Sequence, residues 1–284
     1  MSNLIEPVED GLLLRESGPW AKGKLRLLEA YMSVFHTSMR KKPWRAFHYI
    51  DILAGSGKNQ VRETGEIMLG SPLIALKSRF FNRYFFVEAS PESFEALEKR
   101  VAAHPDSAQV TLHKGDANSV IESICTEIER SDKVYMPNKW QSLNLAFIDP
   151  EGPEDVQWTT IERLARVGRM DMIINMPTSG ISRLFGSGDH AIVDAFFGTA
   201  AWREELRAGM DASVKRRHWL DLYKQRLMAY GYQVAISDDV TAIREYIARN
   251  SREAQLYTLF FVSKHELGNQ LWSAVLAHLE PRLF

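Results

Sequence analysis

Four acidic or glycine-bearing stretches follow apolar runs along this chain: Asp51 to Gly57, Glu88, Asp116, and Asp149-Pro150. In the first, Phe47 to Leu53 is rich in β-branched and aromatic residues and leads into Ala54-Gly55-Ser56-Gly57, as a buried parallel strand does when it hands its backbone to a ligand. Gly55 and Gly57 have backbone angles open to them that other residues lack, and without a Cβ they let a ligand lie against the main chain. A bare D-x-x-A-G-x-G turn also serves as a plain tight connection, so it gains meaning from the other three stretches.

Glu88 ends the apolar run Tyr84 to Val87, where an acid can accept hydrogen bonds from both ribose hydroxyls of an adenosine ligand. Its other reading is a solvent-facing acid before the helix start Ser90-Pro91. Asp116, in the turn Lys114 to Asn118, either accepts from an adenine amino group, with Ala117 beside it, or only forms the turn, with Asn118 capping the next helix. Asp149-Pro150-Glu151-Gly152 closes the run Leu143 to Ile148. A carboxylate and a rigid carbonyl there can orient a nucleophilic amino group, and Asp-Pro is also an ordinary turn former.

The elements that must hold these residues alternate. Strands are predicted at 47–53, 84–88, 109–113, 143–148 and 171–176, with helices at 72–80, 91–103, 119–128 and 156–167 between them, the alternation of a parallel sheet. A polar loop over 58–69 is long for a strand-to-helix connection. Before the first strand, Trp20 to Met39 has helical spacing. This helix either covers the sheet edge or closes over the ligand with Lys24 pointing inward. Residues 1–18 show no periodicity and read as a loosely held arm.

The segment 178–230 follows the fifth strand as a glycine-containing insert and helices, a candidate substrate-recognition region in which Arg183 is a candidate contact. Its basic stretch from Lys215 through Lys224 and Arg226 meets phosphates and bases or forms a solvated helix face. Strands at 232–236, 241–248 and 256–262, the last two joined by Asn250 to Glu253, precede a helix over 267–279. The expected fold is a single α/β domain over 1–284, a doubly wound, mainly parallel seven-stranded Rossmann-like sheet with an antiparallel end and helical additions.

Composition narrows the class. The chain has 45% hydrophobic residues, no apolar run that would span a bilayer and an acidic amino terminus, so a soluble cytoplasmic protein is expected. A formal net charge of −1 leaves any nucleic-acid surface to a local patch. Cys125 is the sole cysteine, which excludes an intramolecular disulfide and a cysteine-based zinc cage, and the histidines form no helix pair of metal-binding type. No metal is expected.

In order, the four stretches resemble those of class I S-adenosylmethionine-dependent methyltransferases. More narrowly, the chain resembles the three-Cys-motif partner family. The shared motifs are Lys24-Leu25 with Leu28 and Tyr31, Tyr49-Ile50-Asp51 with Ala54 to Gly57, Gly70 to Leu76, Phe86-Val87-Glu88 and Gly115 to Asn118, then Phe147 to Gly152, Asn175-Met176-Pro177, and Phe260 to His265 with Gly268. The resemblance implies S-adenosylmethionine as cofactor, held by Asp51, Ala54, Gly55, Ser56, Gly57, Glu88, Asp116, Ala117 and Asp149. It implies Asp149 and Pro150 as catalytic residues, and a substrate side made of Lys24, Glu151, Gly152 and Arg183. The implied partners are a nucleic-acid substrate or a companion protein bearing three cysteines. Two positions depart from the family pattern: Ser56 replaces a proline, and Glu151 replaces an aromatic that stacks on the target base in amino-directed methyltransferases. The rival readings are a non-catalytic cofactor-binding partner and a nicotinamide-dependent oxidoreductase, although the third glycine of G-x-G-x-x-G is missing after Gly57.

Overall fold

The computed structural model describes residues 4–5, 9–204, 206, 210–233, 245–250 and 254–279. In chain order the elements are β1 (Arg15–Ser17), α1 (Trp20–Met39), β2 (Phe47–Asp51), β3 (Lys58–Val61), β4 (Ile67–Leu69), α2 (Ser71–Ser78) and β5 (Arg83–Glu88). They continue with α3 (Pro91–Ala102), β6 (Val110–Lys114), α4 (Ala117–Lys133), β7 (Leu143–Ile148), α5 (Trp158–Arg166) and β8 (Met170–Met176). The chain closes with α6 (Thr178–Ser187), α7 (His190–Phe197), α8 (Ala212–Met228), β9 (Tyr246–Arg249), β10 (Gln255–Val262) and α9 (Glu266–Leu279).

Seven strands form one sheet in the order β6-β5-β2-β7-β8-β10-β9. β6, β5, β2, β7 and β8 pair in parallel, and β10 runs antiparallel to both β8 and β9. Strand alternation divides the core between the two faces of this sheet. Tyr49, Tyr84, Phe86, Leu145 and Phe147 pack with α1, α2, α3 and α9. Ile50, Phe85, Val87, Ala146 and Ile148 pack with α4, α5, α7 and α8. Both faces are covered, which is why the strands read as nearly unbroken apolar runs. This is the doubly wound, mainly parallel seven-stranded Rossmann-like sheet with an antiparallel end that the sequence predicts. Buried Cys125 belongs to the second core, and burial pushes its thiol up to about 12.

Several expectations are corrected. The stretch 58–69 is a β-hairpin: β3 and β4 pair antiparallel, and β1 joins β3 in parallel as a second, three-stranded sheet. Its polar residues lie mostly in β3 and the turn, while Val61, Met68 and Leu69 pack into the first core. The glycine-containing insert is helical, as α6 and α7, with Gly188 in the left-handed region at the end of α6. Asp116, and not Asn118, caps α4 by accepting from the Asn118 amide. Of the strand expected at 232–236, Gln233 makes an isolated bridge to Ser263, and 234–236 lie outside the described residues, as do 241–244 and 251–253. No helix among the described residues is long and apolar enough to cross a membrane.

The arm is also not loose over residues 9–17. Arg100 of α3 is buried and donates through Nε and Nη2 to the two carboxylate oxygens of Asp10 at 2.8 Å each. Its Nη1 reaches the carbonyls of Leu13 at 2.8 Å and Ser56 at 2.6 Å, and Nη2 that of Leu12 at 3.3 Å. Hydrogen bonding to Arg100 holds the Asp10 carboxyl well below the usual carboxylate range, with Lys58 adding a second ion pair at 3.1 Å. One guanidinium thus fastens the arm, the glycine turn and α3 together. Arg100→Met should cost about 3 kcal/mol, because Asp10 is left with Lys58 and the Leu12 amide alone and three carbonyls lose their donor. Urea denaturation checks this, and an unchanged midpoint would refute it.

Candidate functional site

The carboxyl ends of β2, β7 and β8 open into a cavity of about 290 Å³ roofed by the arm and by α1. Ala54, Asp149, Pro150 and Asn175 supply its floor, and Arg15, Trp20, Lys24, Glu151 and Tyr257 its walls. Position follows from topology: parallel strands place their tips at one edge, where open α/β sheets bind ligands.

The glycine turn is built for close approach. Gly55 has φ +64°, and a Cβ there would stand 3.4 Å from Arg15 Nη1, so the residue is bare on the side where the arm crosses. Gly57, at φ +90°, is bare for another reason: Leu73 of α2 and Leu97 of α3 would each meet a Cβ at 3.2 Å. Ser56 is buried and turned inward, with Oγ donating to the Lys58 carbonyl at 2.9 Å. Asp51 is fully buried beneath the turn, receiving Tyr49 Oη at 3.3 Å and the Leu53 amide at 3.4 Å. It shapes the turn from below and is not part of the cavity lining.

Glu88 lies beside the turn. Its Oε2 accepts the Gly55 amide at 2.7 Å and its Oε1 the Ser90 amide at 2.7 Å. A carboxylate has about four acceptor positions, so two amides leave room for two hydroxyls. The Gly115 amide donates to the Glu88 carbonyl at 3.0 Å, which brings the β6 exit and Asp116 to the same edge. Asp116 is exposed, and Ala117 is buried as the first residue of α4.

At the β7 exit, Lys24 Nζ lies 2.5 Å from Asp149 and 4.9 Å from the centre of the Tyr257 ring. Asn175 Nδ2 donates to Asp149 Oδ1 at 2.9 Å and to the Pro150 carbonyl at 3.2 Å. Asn175 Oδ1 is buried with no hydrogen-bond partner among the described residues. Asp155 ties the following turn by accepting the Glu151 amide at 2.7 Å and the Gly152 amide at 3.1 Å. Gly152 is packed under α6, where a Cβ on Gly180 would approach its Cα at 3.6 Å, and it does not line the cavity. Arg183 is exposed on α6, also outside the lining.

Arg15, which no sequence motif singles out, lines the cavity together with Lys24 and brings a second positive charge to the site. Its Nε donates to Glu151 Oε1 at 3.0 Å, and Nη2 bonds the same oxygen. Burial opposes its charge, yet Glu151, Asp149 and Glu88 together hold the guanidinium above its usual range. Asn175, Trp20 and Tyr257 were also not singled out as site residues, although Asn175 ends a strand whose tip faces the crevice, and that is a readable signal. Of the basic residues of α8, Lys224 is buried, and Arg217 and Arg226 are partly exposed and engaged within the protein. Arg217 and Lys224 pair with Glu245, Arg217 also bonds Asp221, and Arg226 stacks over Trp158 at 4.3 Å.

No family model and no curated protein matches the sequence. Among solved structures, a Legionella pneumophila protein of the DUF519 family is similar at 10% identity and a TM-score of 0.49, over 90% of this chain and 91% of that one. An O-methyltransferase from Bacillus cereus in complex with SAH is similar at 11% identity and 0.46, over 89% and 84%. The O-methyltransferase TomG from Streptomyces achromogenes in complex with SAM is similar at 13% and 0.44, over 89% and 93%. Among the described residues no group of three histidines, cysteines or acids is arranged to hold a metal ion.

Burial raises the Asp51 carboxyl to about 7, with a hydrogen bond to Ser71 working against the shift and Asp149 adding to it. An unfolded aspartate titrates near ~3.9, so across about pH 4 to 7 the folded state binds more protons and stability falls as pH rises. Asp51→Asn should remove this part of the slope and leave that of Asp171, which burial also raises to about 7. Urea midpoints at about pH 5 and about pH 8 measure it. An equal pH difference in wild type and variant would contradict it.

Proposed function

We propose that the protein binds S-adenosylmethionine and transfers its methyl group to a nitrogen or oxygen of a nucleic acid. The observation that carries this reading is that one sheet edge holds a glycine turn bared at Gly55, a strand-tip acid with spare acceptor capacity bonded to that turn at Glu88, and a cavity lined by Ala54, Asp149 and Pro150. The residues present fit the group: Gly55 and Ala54 would lie along it, Glu88 would accept its ribose hydroxyls, and Asp116 would face its base. When bound, it supplies an electrophilic methyl carbon on a sulfonium.

The rest falls to the chain's own side chains. Asp149, fixed between Lys24 and Asn175, orients the acceptor group and receives its proton directly or through water. The buried Asn175 oxygen offers the acceptor's N–H or O–H a partner it would otherwise lose on leaving water. Trp20, Tyr257 and Pro177 add apolar and aromatic surface to the cavity lining, which a base could stack against. The resemblance to three-Cys-motif partner proteins supports the same cofactor and adds a companion protein as a possible second ligand.

One observation favours a second reading, a non-catalytic cofactor-binding partner: the Arg15–Glu151 pair closes over Gly55 where a methyltransferase of this kind has an aromatic residue. Two measurements separate the readings. In a thermal-shift panel, S-adenosylmethionine and S-adenosylhomocysteine should raise the melting temperature while NAD does not. A shift with NAD alone would overturn the cofactor assignment. With bulk RNA or DNA, Asp149→Ala should lower turnover about 100-fold or more while Glu88→Gln chiefly weakens cofactor binding. Absence of turnover in wild type, with cofactor bound, would favour the non-catalytic partner.

A further inference from the structure

A second cavity of about 380 Å³ lies at the other end of the sheet, where β7 and β8 begin at Leu143 and Met170 and β10 ends near Ser263. Since β8 is seven residues long, the two cavities are separated by about 23 Å of strand. The proposed methyl-transfer chemistry uses none of the residues here.

Aromatic and basic side chains dominate this face. Trp44 and Trp140 line the cavity with ring centres 4.8 Å apart at 79°, and Arg169 stands 5.9 Å over the Trp44 ring. Trp140 is 51% exposed and Tyr135 86% exposed, in a connection that also shows Val134 and Met136 to solvent. That connection is held in place: Arg45 bonds the carbonyls of Ser131 and Val134, and the Trp140 amide donates to the Pro43 carbonyl at 2.8 Å. Arg169 keeps a left-handed backbone, φ 55°, secured by the Asn144 amide on its carbonyl at 2.9 Å. A bulky residue held in that region is a cost the surrounding structure must sustain.

Charge says what this surface fits. Segments 40–45, 130–142, 168–171 and 263–268 bring nine lysines and arginines together with three acids, in a chain whose formal net charge is −1. Of those acids, Asp171 is buried against Tyr31 and Asp132 is bonded to Ser142, so Glu266 is the exposed one. Aromatic faces bordered by cations on a fixed scaffold suit a stacked base and its adjoining phosphates. A protein partner's apolar surface would not use this excess of positive charge.

We infer that this face binds single-stranded nucleic acid, with one base against Trp140 at the cavity mouth and the neighbouring phosphates on Lys42, Lys139 and Arg169. The binding is independent of methyl transfer and would anchor a remote segment of a strand.

The test is fluorescence anisotropy of a labelled single-stranded RNA of about 12 nucleotides with the full chain, over a range of KCl concentrations. Trp140→Ala should weaken binding about 10-fold or more, because a stacked base is lost. The double change Lys42→Ala with Arg169→Ala should lower the salt slope by about 1.4, since each phosphate contact contributes about 0.7 on a single strand. All variants should keep the wild-type melting temperature and its shift with S-adenosylmethionine, so loss of RNA binding would not reflect unfolding or a failed cofactor site. Undiminished binding by Trp140→Ala, or wild-type protein that does not bind the strand, would overturn the inference. Equal affinity for a mononucleotide would overturn the strand in favour of a free nucleotide.

Discussion

The guanidinium of Arg100 is the fastening on which the candidate site depends. It is buried on α3, and it satisfies a carboxylate and three carbonyls drawn from two distant parts of the chain. A buried charge left without partners is far more costly than one fully bonded, so the interaction fixes its neighbours and does not merely attract them. Through it the arm is drawn over the glycine turn and β1 is placed against β3. Arg15, the first residue of β1, is thereby carried into the crevice at the strand tips.

That placement sets the electrostatics of the site. Glu88 comes from the end of β5, and Asp149 and Glu151 from the one turn after β7; their mutual repulsion is countered by Arg15 and Lys24, which both come from the chain before β2. Asn175, from the neighbouring strand tip, adds neutral donors to Asp149 and Pro150. The sheet therefore provides the acids and the chain's start provides the cations. A ligand entering the crevice meets both, with Asp149 and Glu151 in the lining beside Arg15 and Lys24. Below the turn, Asp51 is a different case: buried and without a cationic partner, it is raised toward neutrality and acts through hydrogen bonds alone.

The legible part of this architecture is the part written in local pattern. The runs ending at Asp51, Glu88, Ile148 and Met176 are largely apolar because both faces of a parallel sheet are covered, whereas the edge strand ending near His113 is half-buried and mixed; the ends of all five could be read to within a residue or two. Helix starts at Ser71-Pro72 and Ser90-Pro91 were readable from proline at the first turn. Residues that depend on distant partners were not legible. Arg15 is an isolated arginine until Arg100 brings the arm across, and the arm lacks periodicity because it is held by ion pairs and carbonyls instead of by a buried face. Lys224 of α8 was not legible as a buried cation for the same reason: it lies against Glu245, a partner in a distant segment. Polar residues from Lys58 to Glu66 hid the hairpin at 58–69, whose apolar part is confined to Val61 and the three residues of β4.

The central claim is that the strand tips form one adenosine-binding crevice. The most direct measurement is a crystal structure of the full chain grown with S-adenosylhomocysteine. The account predicts the ligand along Ala54 and Gly55, its ribose hydroxyls within hydrogen-bond distance of Glu88, and its sulfur end toward Asp149. Ligand bound elsewhere, or a crevice still closed by Arg15 and Glu151 with the ligand excluded at saturating concentration, would contradict it.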